Sequence, residues 1–164
     1  SIIEAFKNFS GINRRFQVTK NINVKDGEIT LIDDYGHHPT EILATINAIK
    51  SGWGSKRITL LFQPHRYTRT KELFSEFVEV LSRVDQLILT EIYAAGEKAI
   101  DDISGQSIIE DIKNKSSKKP IFVSSLEESV DVINRTVKNG EILLSMGAGD
   151  IGSFVRDLPD LLKR

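Results

Sequence analysis

Residues 28–49, EITLIDDYGHHPTEILATINAI, contain an apolar strand pattern, a polar loop and a helical pattern in immediate succession. The segment Glu28–Ile32 is rich in β-branched residues, which favours a strand. After the loop, apolar residues recur at helical spacing, at Ile42, Leu43, Ile46 and Ile49. Pro39 suits the first turn of a helix, and we expect Gly52 to cap its end. The stretch therefore predicts one strand–loop–helix unit of an α/β fold.

The same alternation continues along the 164-residue chain. Five further strands are predicted, at Arg15–Thr19, Arg57–Phe62, Gln86–Thr90, Ile121–Ser124 and Glu141–Ser145. Apolar residues at helical spacing indicate crossover helices at Leu73–Leu81, Ile108–Ile112 and Val130–Val137. The Asp-Gly pair in VKDGEI, residues 24–29, favours a hairpin that makes the first two strands antiparallel. We therefore predict a single Rossmann-like three-layer α/β domain over residues 1–164, with a mostly parallel six-stranded sheet and an N-terminal antiparallel hairpin.

Composition argues against several classes of function. The chain has 22 Lys and Arg against 23 Asp and Glu, for a formal net charge of -1, so no basic surface favours nucleic acid or anionic lipid. It has no cysteine, which excludes disulfides and thiolate chemistry and agrees with a reducing compartment. No apolar run approaches the ~20 residues that span a bilayer, and the first residues lack a cleavable signal pattern. We expect a soluble, cytoplasmic protein without a nucleic-acid or membrane partner.

Unusual residues follow four of the predicted strands. The four loops are DDYGHHP at 33–39, QPHRYTRT at 63–70, EIYAAGE at 91–97 and MGAGDIG at 146–152. In a parallel sheet the carboxyl ends of the strands lie on one edge, where ligands bind. The first two loops hold all three histidines of the chain, His37, His38 and His65. This convergence predicts a functional site at that edge.

The first two loops also have simpler explanations. The adjacent histidines could only cap the following helix. A zinc site needs three or four ligands, and no spacing requires one from the available side chains, which are His37, His38, His65, Asp33 and Asp34. We therefore assign no metal site. Arg66 and Arg69 could be a solvated pair, but their place near a helix start favours bidentate binding of a carboxylate or phosphate.

The segment GAGDIG, residues 147–152, matches the pattern G-x-G-x-x-G after a strand. Only twelve residues follow Gly152, too few for the acidic ribose-binding residue that dinucleotide sites place about 20 residues further on. We expect these glycines to allow close approach of the backbone to a ligand or tight packing of a helix. The sequence also lacks G-x-x-x-x-G-K-[ST], so it carries no P-loop for a nucleoside triphosphate.

Four motifs together, DDYGHHPTEI, LLFQPHRYTRT, LTEIYAAGE and LSMGAGDIG in this order, resemble the C-terminal domain of the Mur ligase family. The likeness extends from about residue 11 to the end of the sequence. It implies an ATP- and Mg²⁺-dependent ligase of peptidoglycan precursor synthesis that adds L-alanine to UDP-N-acetylmuramate through an acyl phosphate. It also implies that an N-terminal UDP-sugar domain and a central P-loop ATPase domain are absent from this chain. An isolated C-terminal domain is then expected to be inactive, with Mg²⁺ bound mainly by the central domain.

The resemblance also implies roles for single residues. Three match residues that bind the nucleotide: Arg15, Asp34 and Tyr35. By this resemblance the Asp34 carboxylate is suited to ribose hydroxyls, and Tyr35 matches an aromatic residue beside the adenine. Four match residues that line the amino-acid end, where paired guanidinium groups hold a carboxylate: His37, His65, Arg66 and Arg69. His38 is expected to cap a helix, and no residue of this domain is assigned as catalytic or as a metal ligand.

Three other functions stay open at this point. The murein peptide ligase, which joins a recycled tripeptide to the same sugar, has a loop like DDYGHHP but usually lacks HRYTRT, so the alanine ligase is favoured. A non-catalytic domain that senses a nucleotide or an amino acid would use the same arginines, and only companion domains with a P-loop would discriminate. A metal hydrolase built on the histidines would contain bound zinc. Selectivity among alanine, serine and glycine depends on contacts worth roughly 1 to 3 kcal/mol per methylene, which the sequence does not specify.

Overall fold

The computed structural model describes residues 14–163. Its centre is a six-stranded sheet with the strand order β1-β2-β6-β3-β4-β5. The strands are β1 Gln17–Val24, β2 Gly27–Asp34, β3 Ile58–Phe62, β4 Gln86–Thr90, β5 Ile121–Val123 and β6 Ile142–Met146. Strands β1 and β2 are antiparallel, and the other neighbouring pairs are parallel. The predicted sheet with its N-terminal hairpin is therefore confirmed, whereas residues 1–13 and 164 of the predicted domain lie outside the described range.

Helices cover both faces of this sheet. Those in the described part of the chain are α1 Pro39–Trp53, α2 Tyr67–Glu72, α3 Phe74–Leu81, α4 Gly105–Lys115, α5 Glu128–Thr136 and α6 Ile151–Leu161. Successive strand residues point to opposite faces, so Leu60 and Phe62 of β3 pack with α1, α3 and α4. Leu61, between them, packs with α5 and α6 on the other face. The predicted three-layer arrangement is confirmed.

The first strand differs from its prediction. It was expected at Arg15–Thr19, but β1 begins at Gln17 and continues to Val24. The pairing register shifts between Thr19 and Ile22, where Asn21 adopts a φ of 57°. This irregularity, a β-bulge, lets an edge strand with mostly exposed polar residues continue pairing past the predicted end.

The end of α1 also differs from its prediction. Gly52 lies inside the helix and does not cap it. The cap is Gly54, which has a φ of 65° and donates its N–H to the carbonyl of Lys50 at 3.1 Å. The additional helical residues bring Trp53 against Phe16, with ring centroids 6.0 Å apart. Burial of this aromatic pair explains why the helix continues past Gly52.

The strand order determines which loops are neighbours. Because β2, β6, β3 and β4 are adjacent and parallel, their carboxyl ends meet at one edge of the sheet. The loops that follow them are called here the β2 loop (35–38), the β6 loop (147–150), the β3 loop (63–66) and the β4 loop (91–104). These are the loops in which the sequence predicted a site. Separately, none of the helices in residues 14–163 is long and apolar enough to cross a membrane.

Candidate functional site

A row of aromatic rings connects three of these loops. The ring centroid of Tyr35 lies 5.3 Å from that of His37, and the His37 ring lies 5.9 Å from the His65 ring. The His65 ring stacks on Tyr93 at 5.6 Å, with the two planes 12° apart. Tyr35 and Tyr93 are the exposed ends of the row. The predicted neighbours His37 and His65 are therefore brought together, and Tyr93 was not predicted.

His38 has a structural role at the start of α1, as predicted. Its Nδ1 accepts a hydrogen bond from the backbone N–H of Thr40 at 3.2 Å. Glu41 completes a capping box, because its Oε2 accepts from the backbone N–H groups of His37 and His38 at 2.9 and 3.0 Å. Burial opposes ionisation of Glu41, but these two N–H donors and the two histidine rings outweigh it and lower its pKa. The helix cap thus keeps a negative charge beneath His37.

His65 is held by Arg69 of α2. The Nη1 atom of Arg69 lies 3.1 Å from His65 Nδ1 and 2.9 Å from the His65 carbonyl oxygen. Burial lowers the pKa of His65, and the nearby Arg69, His37 and Arg66 lower it further, against a small opposing effect of Glu97. Protonated imidazole is therefore disfavoured at this position.

Arg66 lies at the start of α2 in a left-handed backbone conformation, with a φ of 75°. Its N–H donates to the carbonyl of Tyr93 at 2.8 Å, which ties the β3 loop to the β4 loop. Its side chain is 47% exposed, and its Nη1 lies 3.8 Å from Glu97 Oε1. The guanidinium group is thus fixed through its backbone while its charged end remains accessible.

The carboxylate of Glu97 is an internal anion that lies beside Arg66. The carboxylate accepts from the Thr68 hydroxyl at 2.6 Å and from the Thr68 backbone N–H at 3.0 Å. The hydroxyl bond, followed by the backbone bonds and Arg66, lowers the pKa of Glu97. The sequence indicated an anion beside Arg66 but not that one carboxylate would come from the distant EIYAAGE motif.

A cleft of about 370 Å³ lies beside the ring row, between the β2 loop, the segment before β1 and α1. Its lining includes the three residues assigned to the nucleotide, and consists of Arg15, Phe16, Asp34, Tyr35, Gly36, Glu41, Ala44, Thr45 and Ala48. Asp34 accepts from the backbone N–H of Phe16 at 2.9 Å and from that of Gly36 at 2.8 Å. Burial raises the pKa of Asp34; these donors lower it, while Asp33 and Glu41 add to the rise.

Arg14 holds together the segments that form one side of this cleft. Its guanidinium binds Asp33 in bidentate fashion, at 2.8 Å through Nε and 3.0 Å through Nη2. Its Nη1 donates to the Gly147 carbonyl at 2.6 Å, and its own carbonyl accepts from the Tyr35 N–H at 2.6 Å. The group also lies 5.8 Å from the Tyr35 ring centroid. Arg14 connects the segment before β1 to the β2 and β6 loops, a role that no sequence motif indicated.

The glycines of the β6 loop allow close packing, one of the two uses that we expected. A Cβ on Gly149 would lie 2.6 Å from the Tyr93 ring and 2.6 Å from Gln63 Oε1. The Gln63 amide fixes the start of α6, because it donates to Asp150 at 2.6 Å and accepts from the Ile151 N–H at 3.1 Å. A Cβ on Gly152 would meet the guanidinium of Arg14. Close contacts at Gly149 in the loop and at Gly152 in the first turn of α6 thus support Tyr93 and Arg14.

No group of three or more His, Cys, Asp or Glu side chains in residues 14–163 could hold a metal ion. The histidines instead have the ring and hydrogen-bond partners described above. The charged and polar side chains that residues 14–163 bring to this edge are imidazoles, guanidinium groups and carboxylates.

Known proteins share this fold. The family described as "Mur ligase, glutamate ligase domain" matches residues 14–149. The UDP-N-acetylmuramate–L-alanine ligase of Methylococcus capsulatus is 45% identical over 161 residues, which are 98% of this chain and 34% of that relative. Among solved structures, the UDP-N-acetylmuramate–alanine ligase of Thermotoga maritima superposes with a TM-score of 0.71 at 29% identity, over 99% of this chain and 32% of that one. A murein peptide ligase from Psychrobacter arcticus gives a TM-score of 0.73 at 20% identity, over 97% of this chain and 32% of that one.

The fold and the match over most of its length define the class: the chain belongs to the Mur ligase family. Within that family it is similar to the C-terminal domain of UDP-N-acetylmuramate–L-alanine ligases. The family resemblance drawn from the four motifs is therefore confirmed. The chain spans about a third of the length of the relatives it matches.

Proposed function

We propose that this chain is the C-terminal domain of an ATP-dependent ligase that joins L-alanine to UDP-N-acetylmuramate in peptidoglycan precursor synthesis. The supporting observation is the adjacency of two groups of residues. The cleft contains Arg15, Asp34 and Tyr35, and the Tyr35–His37 ring contact leads directly to the histidines and arginines of the β2 and β3 loops. We therefore propose that a nucleotide site and an amino-acid site lie side by side at this edge.

The cleft suits a nucleotide. Arg15 is exposed and can bind phosphate oxygens as a charged, multiply donating group. The Asp34 oxygens each accept one backbone N–H, and because a carboxylate has about four acceptor positions it can still accept from ribose hydroxyls. Tyr35, 49% exposed, offers a ring face for a base. These roles are the ones expected for Arg15, Asp34 and Tyr35 from the family resemblance.

The ring row and its arginines suit an α-amino acid. Arg66 and Arg69 lie one helical turn apart and can hold the carboxylate of alanine with charge-assisted hydrogen bonds. Because Arg69 occupies Nδ1 of His65, the opposite ring nitrogen of His65 is free to donate to the same carboxylate. His37 then lies on the side of the row nearest the nucleotide cleft.

In the proposed reaction ATP phosphorylates the muramyl carboxylate, and the amine of alanine displaces phosphate from the acyl phosphate. This domain contributes orientation of the amine donor and, when it closes on the rest of the enzyme, exclusion of water from the acyl phosphate. The UDP-sugar domain and the P-loop ATPase domain are proposed to precede it in the same polypeptide, which we propose acts in the cytoplasm. Mg²⁺ is proposed to be bound mainly by the central domain.

The test is phosphate release by the full-length polypeptide. We expect release to require ATP, UDP-N-acetylmuramate and L-alanine together, and we expect the isolated 164-residue chain to show no substrate-dependent ATPase activity. Substitution of alanine by an L-alanyl tripeptide addresses the second candidate, a murein peptide ligase, which the superposition at TM-score 0.73 keeps in view. Turnover with the tripeptide but not with alanine would refute the alanine assignment, and turnover by the isolated chain would refute the domain assignment.

A further inference from the structure

The two histidines in the ring row have chemically opposite partners at the same ring atom. His37 Nδ1 lies 3.2 Å from the Tyr35 carbonyl oxygen and 3.9 Å from Glu41 Oε2. Both of these oxygens only accept hydrogen bonds. His65 Nδ1 instead lies 3.1 Å from Arg69 Nη1, and a guanidinium group only donates.

These partners assign different tautomers to the two neutral rings. His37 carries its proton on Nδ1, so its Nε2 has a free lone pair. His65 accepts at Nδ1, so its proton lies on Nε2 and that atom is a donor. Within residues 14–163, neither Nε2 atom takes part in a hydrogen bond with the protein. One edge of the site therefore presents a base and an N–H donor with ring centroids 5.9 Å apart.

We propose that His37 is the general base of the amide-forming step, an inference that rests on the proposed ligase function. The α-ammonium group of the amino acid has no lone pair and gives one proton to His37 Nε2. The amine lone pair then forms the C–N bond to the acyl carbon, and the C–O bond to phosphate breaks with its electrons. The second proton leaves nitrogen with the phosphate, which departs as hydrogen phosphate, and His37 returns its proton to solvent.

The surroundings of His37 suit this cycle. When Nε2 gains a proton, Glu41 Oε2 and the Tyr35 carbonyl stabilise the cation through Nδ1–H. Glu41 is kept ionised by the two backbone N–H groups of its capping box. The His37 side chain is 22% exposed, which permits proton exchange with water. The Tyr35 carbonyl thus orients the ring through a hydrogen bond, and Glu41 places a negative charge 3.9 Å from the same nitrogen.

His65 is a poor alternative for the base. Its lone pair faces the guanidinium of Arg69 at 3.1 Å, and a proton on that nitrogen would meet another donor. The groups that face His37 are Tyr35 on its own loop, Glu41 on α1 and His65 on the β3 loop, with Arg69 behind His65. Since His65 favours the neutral form, it does not oppose a charge on His37.

The experiment compares two nucleophiles in the full-length enzyme carrying His37→Gln. Alanine needs a base, whereas hydroxylamine is already unprotonated at neutral pH and captures the acyl phosphate as a hydroxamate without one. We expect kcat/KM for alanine to fall about 100-fold, within the range for loss of general base catalysis, while hydroxamate formation stays near the parental rate. We also expect the activity of His37→Gln with alanine to rise with pH, because solvent then supplies the free amine.

His38→Asn is the matched control, because it removes the adjacent imidazole and keeps a preferred helix-capping side chain. Its activity with alanine should equal that of the parent. Loss of both alanine and hydroxylamine reactions in His37→Gln, or retention of both, would overturn the base assignment. If the parent itself makes neither amide nor hydroxamate, the ligase function fails instead, so the two failures are distinguishable.

Discussion

The two edges of the sheet differ in which residue types adopt a positive φ where the chain turns. At the amino edge, the left-handed positions that lead into β2, β3 and β6 are glycines, Gly27, Gly54 and Gly140, with φ of 131°, 65° and 79°. The carboxyl edge uses Gly96 and Gly147 but also five larger residues with positive φ, Arg14, Phe16, Arg66, Ala95 and Asp102. Such a conformation costs a residue with a Cβ about 1–2 kcal/mol.

The charges at the two edges differ in the same way. At the amino edge, Arg57 meets Glu141 at 3.2 Å, and the Asp85 carboxylate accepts from the Ile58 N–H at 2.8 Å. At the carboxyl edge, like charges lie close in sequence, as in Asp33 with Asp34 and in Arg66 with Arg69, and one member of each pair meets an opposite charge, Arg14 or Glu97. The carboxyl edge thus keeps backbone strain at residues with a Cβ, whereas the amino edge places its positive φ angles on glycines. Such strain is typical of a site that serves function at the expense of stability.

Among the variants that test the contrast between the two edges, we expect the largest effect from Arg66→Ala. In the full-length enzyme, Arg66→Ala removes a guanidinium proposed to hold the amino-acid carboxylate, and hydrogen bonds to charged groups contribute about 1.5–3 kcal/mol. We expect the KM for alanine to rise about 10- to 100-fold and the KM for UDP-N-acetylmuramate to change far less, as measured by steady-state phosphate release. Equal changes in both constants would contradict an amino-acid role.

At the amino edge, Glu141→Ala should instead reduce stability. Glu141 is 9% exposed and accepts from Arg57 and from the Lys138 N–H at 3.1 Å. Without the carboxylate, the part-buried Arg57 guanidinium and the Lys138 N–H lose their acceptor. The free energy of unfolding should therefore fall by about 2 kcal/mol, as measured by urea denaturation. The KM for alanine should not change; a change would show that the two edges are coupled.

A matched pair of variants can add backbone strain at the amino edge and remove it at the carboxyl edge. A Cβ on Gly140 would contact nothing within 4 Å, so Gly140→Ala isolates the effect of its φ of 79° and should lower the unfolding free energy by about 1 kcal/mol. Ala95→Gly relaxes a φ of 51° and should raise it by about 0.5 kcal/mol, since the added entropy of the unfolded chain offsets part of the gain. Urea denaturation of both variants measures the pair. If both variants changed the free energy of unfolding in the same direction, the two edges would not differ in backbone strain.

The smallest expected effect is the pH dependence due to Glu97. Its pKa in the folded chain lies below the ordinary 4.5, so its stabilising contribution is complete above pH 4.5 and is lost as pH falls through the folded-state pKa. Glu97→Gln should therefore be slightly less stable than the parent at neutral pH, and the difference should shrink in acid. Urea denaturation across this pH range measures it. A difference that grows on acidification would show that the carboxylate does not stabilise the fold.

Much of the fold is predictable because each buried strand is a short, mostly apolar run and each helix has an apolar face. The exceptions have local causes. The exposed face of β1 has no apolar pattern beyond Thr19, and the bulge at Asn21 cannot be read from composition. Gly52 is a plausible cap in sequence, but packing of Trp53 on Phe16 moves the helix end to Gly54.

Only those residues of the candidate site that belong to sequence motifs could be predicted. His37 and His65 were expected to meet because they follow parallel strands that share an edge, and His38 was expected to cap α1. The contacts of Arg14 with Asp33, of Tyr93 with His65 and of Glu97 with Thr68 join positions far apart in sequence. No periodicity marks such pairs, because they depend on the order of strands in the sheet.

That strand order also constrains how the chain folds during synthesis. Strands β2 and β3 do not pair with each other, since β6 lies between them and bonds to both. Residues 14–62 and the β3–β5 half can form local contacts as they leave the ribosome, but the sheet stays divided until Ile142–Met146 emerges. Assembly must therefore wait for the last strand, which leaves apolar strand faces exposed, and prone to aggregation, while the chain is incomplete.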